Sequence, residues 1–237
     1  MDIRDILPRG IEATSLGGPL SGLHRIYERI EESQSKWVAS TPFRCPSGCG
    51  SCCDDFEPGL LEIEALYLAA WLLRTHRDRV PAIMAGFTHE QTERKGCVLA
   101  SPLGEYHCTV YGGRPLVCRL FAYSGDRAKD GSARFRLCSR MTTELPRQFD
   151  EMALLGHFGL LPPIMADLAG EADSLLPDQG GERTPLRLVL PRAVAKIRHL
   201  ADLTDSSAFS IFLSKDDKGD GDNDNPGGGL PPMSRAG

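Results

Sequence analysis

The chain has 237 residues, 41% of them hydrophobic, and a formal net charge of −5. This length suits one domain with additional segments, and nothing in the sequence resembles the basic footprint that is typical of nucleic-acid-binding proteins. The most apolar stretch, residues 60–73, contains Glu62 and Glu64 and is too short to cross a bilayer. We therefore expect neither a nucleic-acid partner nor a membrane partner.

The N-terminal segment, residues 1–18, is expected to be irregular because prolines and glycines break it. It has no long apolar run and carries charged residues early, which is not typical of a secretory signal. We therefore predict a cytoplasmic protein. In a reducing cytoplasm, the eight cysteines favour metal ligation or redox chemistry over disulfides.

Two amphipathic helices are predicted on either side of a cysteine-rich loop. Apolar residues recur at helical spacing over residues 20–38 and again over residues 60–76. Pro42 ends the first of these helices. Residues 77–96 are expected to hold a short helix and a turn, and residues 97–140 are expected to form short irregular segments with strand-like content.

The C-terminal part of the chain is predicted to be helical and then disordered. Residues 144–168 and 185–203 are predicted helices, interrupted by a proline pair at 162–163 and by Pro191, with a polar loop between them. Residues 214–237 are rich in glycine, aspartate and asparagine and cannot bury enough apolar surface to become ordered.

These features predict a mainly α-helical fold with irregular, metal-stabilised cysteine-rich segments, arranged as one small domain with a helical C-terminal extension. A metal would supply the stability that the loop-rich residues 97–140 lack. The predicted boundaries are an irregular N-terminus over residues 1–18, a cysteine-cluster metal-binding domain over 19–142, a helical extension over 143–213 and a disordered acidic and glycine-rich tail over 214–237.

The cysteines are concentrated in one part of the chain. Four of the eight fall within nine residues, in the segment CPSGCGSCC. Cys49 and Cys52 form a C-x-x-C pair, and the nearby glycines let both thiolates turn toward one ion. Cys52 and Cys53 are adjacent, so we expect them to serve different ligand positions or different sites. The predicted metal ligands are Cys45, Cys49, Cys52, Cys53, Cys97, Cys108, Cys118 and Cys138.

The number of thiols allows two arrangements. Eight cysteines can form one site with spare thiols, or two four-thiol sites that each hold zinc or an iron–sulfur cluster. Four thiolates around a divalent centre leave about two negative charges, which require hydrogen-bond donors and cations nearby. The candidates for that compensation are Arg44, Arg114, Arg119 and Arg140, each within four residues of a cysteine.

The segments CPSGCGSCC, Cys97-Val-Leu and HCTVYGGRPLVCRLF together resemble the CxxCxxCC cysteine-cluster family, the YkgJ-type proteins described as zinc- or iron-chelating domains. The resemblance covers roughly residues 40–140. It implies that the cysteines bind zinc or iron, with a 4Fe-4S cluster as one form. It also implies an alternative function, a cluster-dependent protein-modifying transferase, because the family includes relatives of a flagellin lysine N-methylase.

Two further classes are open. Cys45, Cys49 and Cys52 have the spacing of the radical S-adenosylmethionine motif. However, Ser51 stands where that motif has an aromatic residue, and no alternation of strands and helices follows to build a barrel. The other class is an adaptor or metal-delivery protein whose helical C-terminal half contacts a protein partner.

Overall fold

The structure is a computed structural model that describes residues 2–93, 95–105, 107–179 and 181–205. As the sequence predicts, it is mainly helical, with short strands and an irregular first cysteine segment. The helices are α1 (Ile3–Ile6), α2 (Gly17–Ser40), α3 (Glu62–Thr75), α4 (Val80–Met84), α5 (His89–Glu93), α6 (Leu116–Leu120), α7 (Glu151–Phe158), α8 (Met165–Asp173) and α9 (Leu186–Asp205). The strands are β1 (Gly59–Leu60), β2 (Ala100–Glu105), β3 (Asp126–Arg127), β4 (Ala133–Arg136), β5 (Gln148–Asp150) and β6 (Thr184–Pro185).

The larger hydrophobic core is built around α3. Nearly every residue of this helix is buried, so it is covered on all sides rather than along one stripe. α2 covers one side with Leu20, Leu23 and Ile30, and α9 packs along another with Leu190 and Val194. An antiparallel pairing of β1 with β6 joins the segments that lead into α3 and α9. The C-terminal helix is therefore part of the same core as the first half of the chain.

A second, smaller core is aromatic. Trp37, near the end of α2, contacts Phe135 of β4 and Phe158 of α7, with ring centroids 5.1 and 5.4 Å apart. Phe43 packs on the same two phenylalanines, with ring centroids 5.5 Å away in each case. The antiparallel sheet β3–β4–β5 places Phe149 opposite Phe135. The aromatic core therefore joins residues that precede the first cysteine, such as Phe43, to residues that follow the last one, such as Phe149.

The cysteines lie between these two cores. Cys45 and Cys138 pack against the aromatic core. Cys53 and Cys108 pack against the larger core, of which the buried Cys97 is itself a member. The two cores therefore fix the cysteine segments from opposite ends.

One carboxylate, that of Glu64, is buried inside the larger core. Its side chain is inaccessible to solvent and accepts hydrogen bonds from the backbone N–H groups of Leu61, at 2.9 Å, and Leu116, at 2.6 Å. The guanidinium of Arg183 forms an ion pair with it at 2.8 Å. A buried carboxylate needs such partners, because its charge has been removed from water. Glu64 thereby links α3 to α6 and to the segment before β6.

Three predicted helices are confirmed: α2 spans all of residues 20–38, and α3 and α9 occupy the segments 60–76 and 185–203 apart from one or two residues at their ends. The predicted interruption at Pro191 is wrong, because α9 continues through that proline while it packs along α3. The N-terminal segment also contains more structure than expected, namely α1 and a short 3-10 turn at Ile11–Ala13.

The predicted helix over residues 144–168 is only partly correct. Its start is occupied by β5, because Phe149 pairs with Phe135 across the sheet and is buried. The interruption at the proline pair is confirmed, with α7 ending at Phe158 and α8 beginning at Met165. α8 then extends to Asp173, into the segment predicted as a loop.

The described part of the chain contains no helix that combines the length and apolar character required to cross a bilayer. The predicted disordered tail over residues 214–237 lies outside the described residues. The segment boundaries inferred from the sequence remain predictions.

Candidate metal centre

The first cysteine segment, residues 45–53, is a loop with a backbone hydrogen bond at each end. The backbone N–H of Cys45 donates to the hydroxyl of Tyr123 at 2.8 Å, so this end is held by the chain after α6. At the other end, the N–H of Cys53 donates to the carbonyl of Gly50 at 2.8 Å, which closes a 3-10 turn. Cys52 is exposed within this turn, whereas Cys53 is partly enclosed.

The second cysteine segment is attached to the first through the backbone of Cys53. The N–H of Cys97 donates to the Cys53 carbonyl at 3.0 Å. Gly96 permits this approach, because a Cβ at that position would lie 2.3 Å from the same carbonyl oxygen. The chain then runs out along β2 and returns so that Ala100 pairs with Cys108. The fold of this segment thus brings Cys97 and Cys108 close to Cys53.

The third cysteine segment is α6, which carries Cys118. This helix has only five residues, too few for a helix to be stable by itself in water. Its first N–H, that of Leu116, donates to the buried carboxylate of Glu64. The position of Cys118 therefore depends on an anchor in α3.

Two adjoining cavities gather the eight cysteines. The inner cavity, of about 50 Å³, is lined by Cys52, Cys53, Cys97, Cys108 and Cys118. The outer cavity, of about 590 Å³, is lined by Cys45, Cys49, Cys52, Cys118 and Cys138. Cys52 and Cys118 border both cavities, and all eight cysteines are free thiols. The structure thus brings together every cysteine that the sequence analysis identified.

Three of the outer thiols influence one another. Burial raises the pKa of Cys45 to about 11, and the charges of Cys49 and Cys138 add to this effect. The pKa of Cys49 is instead lowered, mainly because the backbone N–H of Ser51 donates to its sulfur, and the hydrogen bond between the Cys49 and Ser51 side chains adds to this effect. Cys45, Cys49 and Cys138 are therefore electrostatic neighbours.

The inner thiols form a separate group of neighbours. Burial raises the pKa of Cys118 well above its usual range, and the charges of Cys97 and Cys108 act in the same direction. Burial likewise raises the pKa of Cys108. Cys97 and Cys108 also act on Cys53. Burial and the mutual repulsion of thiolates both favour the protonated form of these cysteines. A bound cation would therefore stabilise the thiolates strongly at this position.

Cys52 and Cys53 contact each other at the junction of the two groups. The Cys53 thiol donates a hydrogen bond to the Cys52 sulfur, which lowers the pKa of Cys52 to about 6 and raises that of Cys53. The positive charge of Arg114 also favours the Cys52 thiolate. The thiolate of this pair therefore resides on the more exposed Cys52.

Arg114 is the arginine that borders both cavities together with the cysteines. Its guanidinium stacks over the ring of Tyr111 at 3.5 Å, and its Nε donates to the Tyr111 carbonyl at 2.9 Å. These contacts hold a positive charge beside Cys52 and Cys118, on which it acts. Of the four arginines near cysteines, Arg114 is therefore the one best positioned to offset the negative charge of the thiolates.

The other arginines next to cysteines have different surroundings. Arg44 donates to the carbonyls of Thr41 and Phe43. Arg140 borders the outer cavity. Arg119 is buried and pairs with Glu31 at 2.7 Å.

Arg119 has a structural role that its proximity to Cys118 in sequence does not reveal. Its guanidinium lies over the ring of Tyr27 at 4.1 Å and donates to the carbonyls of Gly112 and Arg114. The side chain thus connects α2 to the turn before α6.

We expect Arg119→Lys to lower the free energy of unfolding by about 2 kcal/mol, because an ammonium cannot reproduce the planar fork that makes these contacts. Urea denaturation followed by circular dichroism would measure the change. The matched control is Arg134→Lys, at an exposed pair with Asp126, where we expect less than about 0.5 kcal/mol. Equal effects at the two sites would contradict this role for Arg119.

Gly50 is a second point at which the first two cysteine segments touch. A Cβ there would lie 2.2 Å from the ring of His107, whose own backbone is left-handed with φ of 59°. We expect Gly50→Ala to cost about 1–3 kcal/mol by overpacking, measured by urea denaturation. Adding His107→Gly should restore most of that loss, since it removes both the ring and the His107 Cβ, which would lie 2.3 Å from the new methyl group. A double variant as unstable as Gly50→Ala would show that the clash is not the cause.

Sequence reasoning did not identify Glu64 or Tyr123 as supports of the site. The signal for Glu64 was present, because an acid within an otherwise apolar helical run must be either exposed or paired. No comparable signal exists for Tyr123, whose contact with Cys45 spans 78 residues.

The donor chemistry of the two cavities fits zinc or iron. Thiolates are ligands that zinc and iron–sulfur clusters both accept, and four of them complete the usual shell. Over the described ranges, no three histidine, cysteine, aspartate or glutamate side chains already converge tightly enough to hold a metal ion. A closed ligand shell therefore requires the cysteine side chains to rotate toward a common centre.

Comparison with known proteins gives one match. Residues 44–139 match the model of the CxxCxxCC family, described as "Putative zinc- or iron-chelating domain". The matched segment contains all eight cysteines. Searches of curated proteins and of solved structures found no significant match to the chain.

Proposed function

Because residues 44–139 match the model of the CxxCxxCC family, we propose that this chain is a metal-binding protein that chelates zinc or iron through its cysteines. The observation that carries the proposal is the gathering of eight free thiols around two adjoining cavities. Softer thiolate ligands select zinc and iron–sulfur clusters over magnesium or calcium. Arg114 would offset part of the negative charge that bound thiolates leave.

We further propose that the thiols work as two four-cysteine sites. The inner set is Cys53, Cys97, Cys108 and Cys118. The outer set is Cys45, Cys49, Cys52 and Cys138. Three observations support this division: the two cavities, the electrostatic grouping of Cys45 with Cys49 and Cys138 and of Cys118 with Cys97 and Cys108, and the packing of Cys45 and Cys138 on the aromatic core while Cys53, Cys97 and Cys108 pack in the larger core. Each set has the four thiols that a tetrahedral zinc or a cubane cluster needs.

The two cavities differ in the metal form that they favour. The inner cavity, of about 50 Å³, has room for only a few water-sized atoms, which suits a single ion better than a cluster. The outer cavity is open and about 590 Å³ in volume, so it has space for a 4Fe-4S cluster. We therefore propose that any cluster forms at the outer set.

Anaerobic purification followed by elemental analysis and optical spectroscopy would test the proposal. We expect bound zinc or iron, with broad visible absorption if a cluster is present. Cys49→Ser with Cys52→Ser should release metal from the outer set, whereas Ser47→Ala, which changes the same loop and keeps every thiol, should not. A chain that neither retains nor takes up either metal, or a double serine variant with undiminished metal content, would refute the proposal.

Two finer points of function follow from the same proposal. Eight free thiols, of which Cys52 is exposed, suit a reducing compartment, so we propose a cytoplasmic location.

The alternative of a protein lysine N-methylase-like transferase rests on the family resemblance alone. Calorimetry with S-adenosylmethionine would test it, and absence of binding would count against that alternative without affecting metal chelation.

A further inference from the structure

A third cavity, which no cysteine lines, is bordered by four arginines. It has a volume of about 610 Å³ and shares no lining residue with either cysteine cavity. Its arginines come from four different segments: the turn after α1, the end of α3, the 3-10 turn before α4, and α9. They are Arg9, Arg74, Arg77 and Arg198, and we call this cavity the arginine groove.

The segment that presents Arg9 is locked onto α9. The hydroxyl of Thr204 lies within hydrogen-bond distance of the Arg9 carbonyl, at 3.1 Å, and also of the Leu200 carbonyl in its own helix, at 3.0 Å. Gly10, which follows, has φ of 82°, and a Cβ there would lie 2.4 Å from the Cβ of Thr204. A glycine is therefore required for this turn to dock so closely. The contact places Arg9 in the same cavity lining as Arg198 of α9.

The remaining arginines are only partly compensated. The Nε of Arg74 donates to the carbonyl of Asp5 at 3.3 Å, and Arg198 lies 3.9 Å from the carboxylate of Asp202. Within the part of the chain that the structure describes, Arg77 forms no ion pair. Among the described residues that line the groove, Asp202 is the only acid, so four positive charges stand against one negative charge, an excess of three. This excess arises on a protein whose net charge is −5.

The groove also has an apolar wall, formed by side chains such as Leu73, Val80 and Pro81. Guanidinium groups bind phosphoryl oxygens through paired hydrogen bonds, and a cavity of this volume lies in the usual range for small ligands. The charge excess matches a ligand with about three negative charges. We propose that the arginine groove binds a small molecule with two or three phosphoryl groups, such as a nucleoside diphosphate, whose remaining part packs on the apolar wall.

Isothermal titration calorimetry of the full chain with pyrophosphate and with ADP, at low ionic strength, would test this inference. We expect both to bind, ADP more tightly because of the apolar wall. Arg77→Ala with Arg198→Ala should weaken binding by at least about tenfold, because two charge-assisted contacts are lost. The matched control removes two exposed positive charges elsewhere, Arg25→Ala with Lys129→Ala, and should change binding by less than about twofold.

Several results would overturn the inference. The inference would be wrong if pyrophosphate did not bind at millimolar concentration, or if sulfate bound as tightly as pyrophosphate. It would also be wrong if the test and control variants weakened pyrophosphate binding equally. A further arm uses a synthetic acidic peptide with the sequence of residues 216–224. Binding of that peptide in the absence of pyrophosphate binding would assign the groove to an acidic polypeptide instead. Metal content can be followed in the same samples, so failure here is distinguishable from failure of the metal-binding proposal.

Discussion

Glu64→Gln is expected to lower the free energy of unfolding by about 3–5 kcal/mol, because it removes the charge of a fully buried carboxylate on which its donors depend. Three donors converge on this carboxylate: the N–H groups of Leu61 and Leu116 and the guanidinium of Arg183. An amide has one acceptor oxygen, and its NH₂ group would face a donor. At least one donor would lose its acceptor inside the core, and that desolvation is not recovered.

Urea denaturation would measure this loss, with Glu62→Gln as the matched control. Glu62 lies in the same helix and pairs with Lys196, but that ion pair is partly exposed, so we expect a loss below about 1 kcal/mol. Because Glu64 also anchors α6, metal bound by Cys118 should be held less tightly in Glu64→Gln. If the two glutamine variants were equally stable, the buried network would not have the role described.

The second large effect concerns the division of the cysteines. If the two sets are separate sites, Cys45→Ser with Cys138→Ser should remove the outer metal and leave the inner one. Cys97→Ser with Cys108→Ser should do the reverse. The measurement is the molar ratio of metal to folded protein, which should fall from two sites to one in each variant. A cluster contributes several iron atoms, so native mass spectrometry should accompany elemental analysis.

The two variants also provide each other's control. Both remove two thiols, but from opposite sides of the junction formed by Cys52 and Cys53. A single shared site predicts that either variant loses all bound metal. Loss of the inner metal should also destabilise the protein more, since Cys97 belongs to the larger core and its segment has little other support.

The parts of the fold that the sequence predicts well are those with long hydrophobic periodicity. α2 and α9 each repeat an apolar stripe over 20 or more residues, and α3 is apolar along most of its 14 residues, which local pattern alone can indicate. β3, β4 and β5 have two to four residues each, too few for an alternating pattern. Phe149 is fixed in β5 by its partner Phe135 and by burial, neither of which is visible locally.

The candidate site shows the same contrast. The spacing of the thiols and of Arg114 indicates a metal site, because ligand type is a property of residues. The division into inner and outer sets depends on which core each segment packs against, and that is set by contacts between distant residues. The role of Arg119 illustrates the difference, since its partner Glu31 lies 88 residues away.

X-ray absorption spectroscopy at the zinc or iron edge of the metal-loaded full chain tests the central claim most directly, because it reports the atoms bound to the metal. The account predicts a first shell of about four sulfur atoms at about 2.3 Å, lost in parallel with bound metal when the cysteines of a set are replaced. A shell made mainly of nitrogen or oxygen atoms, or one unchanged by those replacements, would contradict it.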